Sequence, residues 1–214
     1  MAEKVAIIDY GSGNLRSVEK AVERAAREAG LARHITVTSD PDDIAGSDRV
    51  ILPGVGAFAA CMAGLAARDG VLEALEHAVL VNCRPFLGVC VGMQLLATQG
   101  LEFGSSEGLG WIPGSVVPLK PSTHHRSPHM GWNDVTSLSS HPVFDALDGE
   151  AFYFAHSYRY AAENDAHALA VVEHGESITA LIGRDNLLGA QFHPEKSQKA
   201  GLVFLGHFLH WSPS

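Results

Sequence analysis

Pro85-Phe-Leu-Gly-Val-Cys90-Val-Gly-Met-Gln94 is the stretch that decides how this chain folds. Residues 85–90 form a short, continuous apolar run, as expected of a strand buried on both faces. Residues 92–99 read as a helix, so the chain turns sharply from strand to helix at Cys90. Gly88 and Gly92 flank the turn and let neighbouring backbone come close. This is the shape of a nucleophile elbow, better known with serine at its centre. The following helix offers free N–H groups and a partial positive charge, and both favour the thiolate, the reactive form of a cysteine. Cys61 and Cys83 lack this setting and read as packing residues.

The same alternation extends outward. Apolar runs at 5–9, 35–38 and 49–52 read as strands. Residues 16–29, 59–67 and 71–81 read as helices, with Gly30 as a stop signal after the first. Strand, helix, strand, helix is the pattern of a parallel sheet wrapped by helices. The second half differs, with short strands at 116–119, 151–158, 169–173, 178–182 and 187–191 joined by tight connections, and a last helix over 200–211. A polar, proline-containing loop spans 120–129. The expected fold class is α/β: a mostly parallel open sheet flanked by helices, with additional antiparallel strands in the second half. No internal repeat or long linker divides residues 1–214, so one domain is expected.

Composition narrows the function. The chain has 214 residues, 24 acidic against 15 basic side chains, and a formal net charge of −9. Such a balance gives no general attraction for nucleic acid or anionic membranes. No apolar run approaches a membrane span, and residues 1–4 lead into a strand without the plan of a signal peptide. Three cysteines are an odd, low count. They argue against a disulfide framework and for a reducing, cytoplasmic setting.

A thiol nucleophile needs a base and an orienter for that base. Gly189-Ala-Gln-Phe-His193-Pro-Glu195 offers both just after the last apolar strand. Histidine titrates near neutrality, and Pro194 restricts the backbone between His193 and Glu195. Acyl transfer also needs donors for a tetrahedral oxyanion. Leu52-Pro-Gly54-Val-Gly56 follows the third strand, where two glycines and a proline permit backbone N–H groups to face a cleft. Gly54, Val55, Gly56 and Val91 are the candidate donors. Gln94 lies one helical turn from Cys90, so its amide is placed to face the same cleft.

Pro53-Gly-Val-Gly56, Gly88-Val-Cys-Val-Gly-Met-Gln94 and Gln191-Phe-His-Pro-Glu195 resemble the motifs of the class I, triad-type glutamine amidotransferases in order and spacing. Asp9-Tyr-Gly-Ser-Gly-Asn14, Pro128-His-Met-Gly-Trp-Asn133, Phe154-Ala-His-Ser-Tyr158 and His193-Pro-Glu-Lys-Ser197 are similar, more narrowly, to the glutaminase subunits of imidazole glycerol phosphate synthases. The likeness covers nearly the whole chain. Val91 stands where leucine is more common, a small apolar exchange. The resemblance implies that glutamine is hydrolysed to glutamate and ammonia through a thioester on Cys90, with no cofactor. It implies that Gln94, His156, Ser157, Tyr158 and the 54–56 loop bind the substrate. It also implies a heterodimer in which ammonia passes to a separate (β/α)8-barrel cyclase subunit. That partner would make imidazole glycerol phosphate and an aminoimidazole carboxamide ribonucleotide in histidine biosynthesis, with Asn14 and Lys196 near the shared interface.

Other readings stay open. A glutaminase subunit for another ammonia-accepting synthase, or a cysteine peptidase or other hydrolase on the same fold, would use the same elbow. A metal module would use His124, His125 and His129, although no cysteine pair has zinc spacing. A binding-only subunit is disfavoured, since all three catalytic residue types are present.

Overall fold

The computed structural model describes residues 2–120 and 127–213. The first half runs β1 (Glu3–Ile8), α1 (Leu15–Glu28), β2 (Arg33–Thr38), α2 (Pro41–Ala45), β3 (Arg49–Gly54), α3 (Phe58–Ala66), α4 (Val71–Glu76), β4 (Phe86–Cys90) and α5 (Val91–Gln94). The second half is mostly strands: β5 (Gln99–Gly100), β6 (Ser106–Glu107), β7 (Gly114–Pro118), β8 (His129–Ser137), β9 (Ala151–His156), β10 (Tyr158–Ala162), β11 (Ala168–Glu173), β12 (Ser177–Arg184) and β13 (Leu187–Ala190). The helix α6 (Gln198–His210) closes the chain.

The large sheet has the order β2-β1-β3-β4-β13-β12-β11-β8-β9, and a smaller sheet has the order β10-β7-β5-β6. From β2 to β13 the neighbours are parallel. From β13 to β9 they are antiparallel. The expected α/β class, parallel in the first half with antiparallel strands added in the second, is the one observed. Helix burial explains the parallel half. Val5–Ile8, Val50–Leu52 and Phe86–Leu87 are buried, so both faces of the sheet are covered. On one side α1 packs on α6. The end of α6 is tied down by Arg49, whose Nη1 donates to the carbonyls of Phe208 (3.1 Å) and Trp211 (2.5 Å).

Four local expectations are corrected. The helix read over 92–99 stops at Gln94. The carbonyls of Leu95, Leu96 and Ala97, which a longer helix would use, instead accept from the N–H groups of Leu109, Ile112 and Gly110. The helix read over 71–81 is α-helical to Glu76, and His77–Val81 winds more loosely as a π-helix. His129, read as the end of a polar loop, opens the nine-residue strand β8. Cys83 is exposed rather than packed.

Two glycines let α5 settle onto the sheet. A Cβ on Gly92 would lie 1.9 Å from the Leu52 carbonyl oxygen, and one on Gly88 would lie 2.4 Å from the Gly92 oxygen. Both clashes are with backbone, which has no rotamer to yield. We expect Gly92→Ala to destabilise the fold by about 3 kcal/mol or more in urea unfolding. Gly30→Ala, left-handed but with open space around it, should lose only about 1 kcal/mol. Equal losses at the two positions would contradict the close-approach argument.

Candidate active site

Register brings three strand ends together. Gly54 of β3 pairs with Cys90 of β4, and Ala190 of β13 pairs with Val89. One step beyond Ala190, Gln191 comes alongside Cys90, and His193 follows two residues later. Cys90 has φ 55° and ψ −113°. A non-glycine residue held there stores about 1–3 kcal/mol of strain, which the flanking packing must sustain. The result is a sulfur facing a cleft of about 480 Å³ whose walls include Val55, Gln94, His156 and His193. A second groove, about 460 Å³, lies between α1 and α6 and is walled by Ala25, Ala29, Leu202 and Val203. Its lining includes Glu28, His207 and His210 but no thiol or hydroxyl, so the candidate cysteine site is the cleft at Cys90.

The base is fixed from several directions. Phe192 is fully buried, with its ring 4.1 Å from that of Phe152 and 5.1 Å from that of Phe204. The His193 N–H donates to the Tyr153 carbonyl (2.9 Å), and the His193 carbonyl accepts from Ser197 Oγ (2.7 Å). His193 Nδ1–H donates to Glu195 Oε1 at 2.9 Å. That leaves Nε2 for the side of Cys90, whose interaction with the ring raises its pKa. Burial works against a charge on the ring. The attraction of Cys90 and the hydrogen bond to Glu195 outweigh it and hold the pKa up at about 9. An imidazolium beside the sulfur is the partner a thiolate nucleophile needs.

The helix field at Cys90 is weaker than the sequence suggests. The helix α5 has four residues, too few to sum a sizeable dipole. The polar neighbours of the sulfur include His193 and the amide of Gln191, whose Nε2 lies 3.8 Å from Cys90 Sγ.

Of the candidate oxyanion donors, Gly54 adjoins Cys90 across the sheet, and Gly56 and Val91 line the cleft. Val91 N–H opens α5 and has no acceptor within the helix. The Val55 N–H instead donates to Ser12 Oγ (3.2 Å), and Ser12 Oγ donates to the Val55 carbonyl (2.6 Å). This peptide is therefore latched to the turn after β1 rather than aimed at the cleft.

The substrate candidates form a network around the Tyr158 carbonyl. That oxygen accepts from His156 Nδ1–H (2.8 Å) and from Gln94 Nε2 (3.2 Å). Burial lowers the His156 pKa to about 4, although the Tyr158 bond pulls the other way, so the ring is neutral and its Nε2 is an acceptor. It accepts from His129 Nδ1 at 3.0 Å. Ser157 lines the cleft with its neighbours. Lys196 reaches the cleft, its ammonium 5.7 Å above the Tyr153 ring, and Asn14 is exposed at the start of α1.

Among the described residues, no group of three or more His, Cys, Asp or Glu is arranged to hold a metal. His124 and His125 lie outside the described residues. His129, the third member of that reading, is buried and stacks on Phe154 and His174. Sequence reasoning gave no role to Ser12 or Gln191. Gln191 stood inside a quoted motif, but its contact with the sulfur depends on strand register, which no local pattern reports.

Known proteins resemble this chain over nearly its whole length. The family profile described as "Glutamine amidotransferase class-I" matches residues 6–209. The imidazole glycerol phosphate synthase subunit HisH of Rhodospirillum rubrum is 54% identical over 98% of this chain and 100% of its own length. Its namesake from Zymomonas mobilis is 55% identical over 98% of this chain and 96% of its own. Among solved structures, one described as a glutamine amidotransferase superposes with TM-score 0.69 at 17% identity, covering 95% of this chain and 98% of that one. Another glutamine amidotransferase, from Thermotoga maritima, gives 0.64 at 18% identity over 94% and 79%. At these identities the structural likeness speaks to the fold.

The raised His193 pKa carries a sign. Its charge contributes stability that is complete below the ordinary value of about 6.5 and is lost as pH climbs through about 9. A histidine NMR titration should find His193 charged across neutrality with a midpoint near pH 9. Cys90→Ala, which removes the sulfur's share, should bring that midpoint down. A midpoint at or below about 6.5 in the unsubstituted chain would contradict the assignment.

Proposed function

The chain belongs to the class-I glutamine amidotransferases, alongside subunits named HisH, and on that premise we propose that it hydrolyses glutamine to glutamate and ammonia. The ammonia is for a separate (β/α)8-barrel cyclase subunit, which makes imidazole glycerol phosphate and an aminoimidazole carboxamide ribonucleotide in histidine biosynthesis. The whole chain acts as one glutaminase domain of a cytoplasmic heterodimer and uses no metal or cofactor. The observation that carries this reading is the line Cys90–His193–Glu195 at the floor of an open cleft.

The chemistry balances over these residues. Cys90 Sγ attacks the amide carbon of the glutamine side chain. The C–N bond breaks as the His193 imidazolium gives its proton to the nitrogen, and ammonia leaves. Water then attacks the thioester, and the now neutral His193 takes its proton. The C–S bond breaks, glutamate leaves, and sulfur and imidazolium are restored. Glu195 holds the ring in the tautomer that presents Nε2 to the sulfur. Gln94 has used both its N–H groups, on Tyr158 and Gln191. Its Oε1 is thus the acceptor offered to the cleft, suited to the substrate's ammonium group. His156, Ser157 and Tyr158 close the same wall.

A partner subunit is supported by the rim. Phe103 is 94% exposed, and Met130 and Val55 are exposed around the same cleft. Apolar side chains clustered at a catalytic mouth are a surface for another protein to cover. Asn14 and Lys196 lie at the edges of that face on this reading. No helix among the described residues is long and apolar enough to cross a membrane.

Two outcomes test the reading. In the complex with the cyclase, Cys90→Ala should lower glutamine-dependent turnover by about a thousandfold or more and leave ammonia-dependent turnover within about twofold. Loss of both activities would defeat the proposed division of labour. The isolated chain should be a poor glutaminase, because Val55 is latched to Ser12. Ser12→Ala, which removes that bond, should raise its partner-free ammonia release by about threefold to tenfold. No increase would show that the latch is not what holds the isolated chain back.

A further inference from the structure

We propose that Gln191 is a catalytic residue of this site: its side-chain amide donates to the Cys90 sulfur, and Gln94 holds it in that orientation. The inference rests on the glutaminase reading and adds a group to it. Gln191 is fully buried, and its Nε2 lies 3.8 Å from Cys90 Sγ. A buried primary amide has one oxygen and one nitrogen, and which end meets the sulfur decides its effect. The surrounding bonds settle that question.

The Tyr158 main-chain carbonyl can only accept. The Gln94 atom 3.2 Å from it must therefore be the nitrogen, Nε2. The second N–H of that nitrogen points to Gln191 at 2.9 Å, so the Gln191 atom it meets is the oxygen. The remaining end of Gln191, its nitrogen, faces the sulfur. Reversing Gln94 would set its Oε1 against the Tyr158 carbonyl, two acceptors without a proton between them, and reversing Gln191 would set two amide nitrogens against each other.

The direction of donation is thus fixed from a backbone atom outward. His156 reinforces it, since its Nδ1–H occupies the same carbonyl at 2.8 Å. A dipole ending N–H toward sulfur stabilises a thiolate and does nothing for a neutral thiol acceptor of equal worth. The two amides also run head to tail, so each bond polarises the next. A substrate ammonium on Gln94 Oε1 would polarise the same line toward the sulfur.

The titratable groups facing Cys90 come from several elements. His193 follows β13, and Tyr10 lies in the turn after β1. Glu102, His156 and Lys196 line the mouth of the cleft. None of these is altered by exchanging Gln191 for methionine, which has similar length and no N–H.

The test is alkylation of the full-length chain by iodoacetamide from about pH 5 to about pH 10. Modification of Cys90 is read by mass spectrometry of its own peptide, so that the exposed Cys83 does not interfere. Gln191→Met should slow Cys90 alkylation at pH 7 about tenfold and move the rise of the rate curve about one pH unit upward. With the cyclase, kcat for glutamine should fall about tenfold while KM changes little. Gln94→Met, which does not touch the sulfur, should move the alkylation curve the same way by less, and should also raise KM. The double variant should alkylate no more slowly than Gln191→Met alone. Gln191→His, which keeps an N–H at similar reach, should recover part of the loss.

Superimposable alkylation curves for Gln191→Met and the unsubstituted chain would overturn the proposal. So would additive losses in the double variant. If the thermal unfolding of Gln191→Met shows that it does not fold, Gln94→Met carries the decision, and an unchanged curve there overturns it. Failure of the unsubstituted complex to release ammonia from glutamine would defeat the glutaminase reading instead. The alkylation result does not depend on that outcome.

Discussion

The site depends on one strand pairing, that of β13 with β4. The two strands run parallel, with Gly189 opposite Gly88 and Ala190 opposite Val89. They are separated by nearly a hundred residues of chain, and beyond β13 the sheet passes from parallel to antiparallel at β12. Side chains alternate along a strand, so a slip of one residue would turn Gln191 and His193 to the wrong faces. Packing forbids the slip. A Cβ on Gly189 would lie 2.7 Å from Met93 Cγ, so a glycine is required where α5 rests on the sheet. Phe192, between the two functional residues, drives into the aromatic cluster of Phe152, Phe154 and Phe204. The residues on either side of it must then face the sulfur.

Much of this was legible before any coordinates. Strands such as Val5–Ile8 are apolar at every position because both faces are buried, and that signal is local. The elbow is local too, since a cysteine between glycines at the end of an apolar strand leaves few backbone choices. The end of the elbow helix was not legible. Leu95, Leu96 and Ala97 have good helix propensity, but their carbonyls are claimed by residues 109–112, and no window of sequence records that competition. The strand β8 was hidden for a different reason. Met130 and Trp132 are exposed on it, so the outward face is as apolar as an inward one and the alternation that marks a half-buried strand is lost.

Site residues divide along the same line. Cys90, His193 and Glu195 carry chemistry that names them by type. Ser12 and Gln191 are ordinary polar residues whose importance comes from where a distant element sets them down. The Ser12 hydroxyl accepts from the Val55 N–H and donates to the Val55 carbonyl, so it holds the peptides on both sides of Val55. A glycine-rich turn in the sequence announces freedom to move, and it does not announce which of its conformations is held.

Two buried histidines at this cleft are held in opposite charge states, and their partners explain why. His193 faces a sulfur and a carboxylate, and its pKa is pushed up to about 9 against the burial that opposes it. His156 is buried to a similar degree, but it faces a carbonyl and another ring, and burial takes its pKa down to about 4. A carbonyl is a dipole and cannot replace the hydration that a cation loses, whereas an anion can. His193 itself adds to the lowering at His156. The neutrality of His156 keeps its Nε2 an acceptor for His129 and its Nδ1–H on the Tyr158 carbonyl. A charged His156 would have to break the bond with His129, and the carbonyl that orients Gln94 would lose its fixed position. The positive charge is thereby confined to the ring beside the sulfur, and His156 is left to hold geometry.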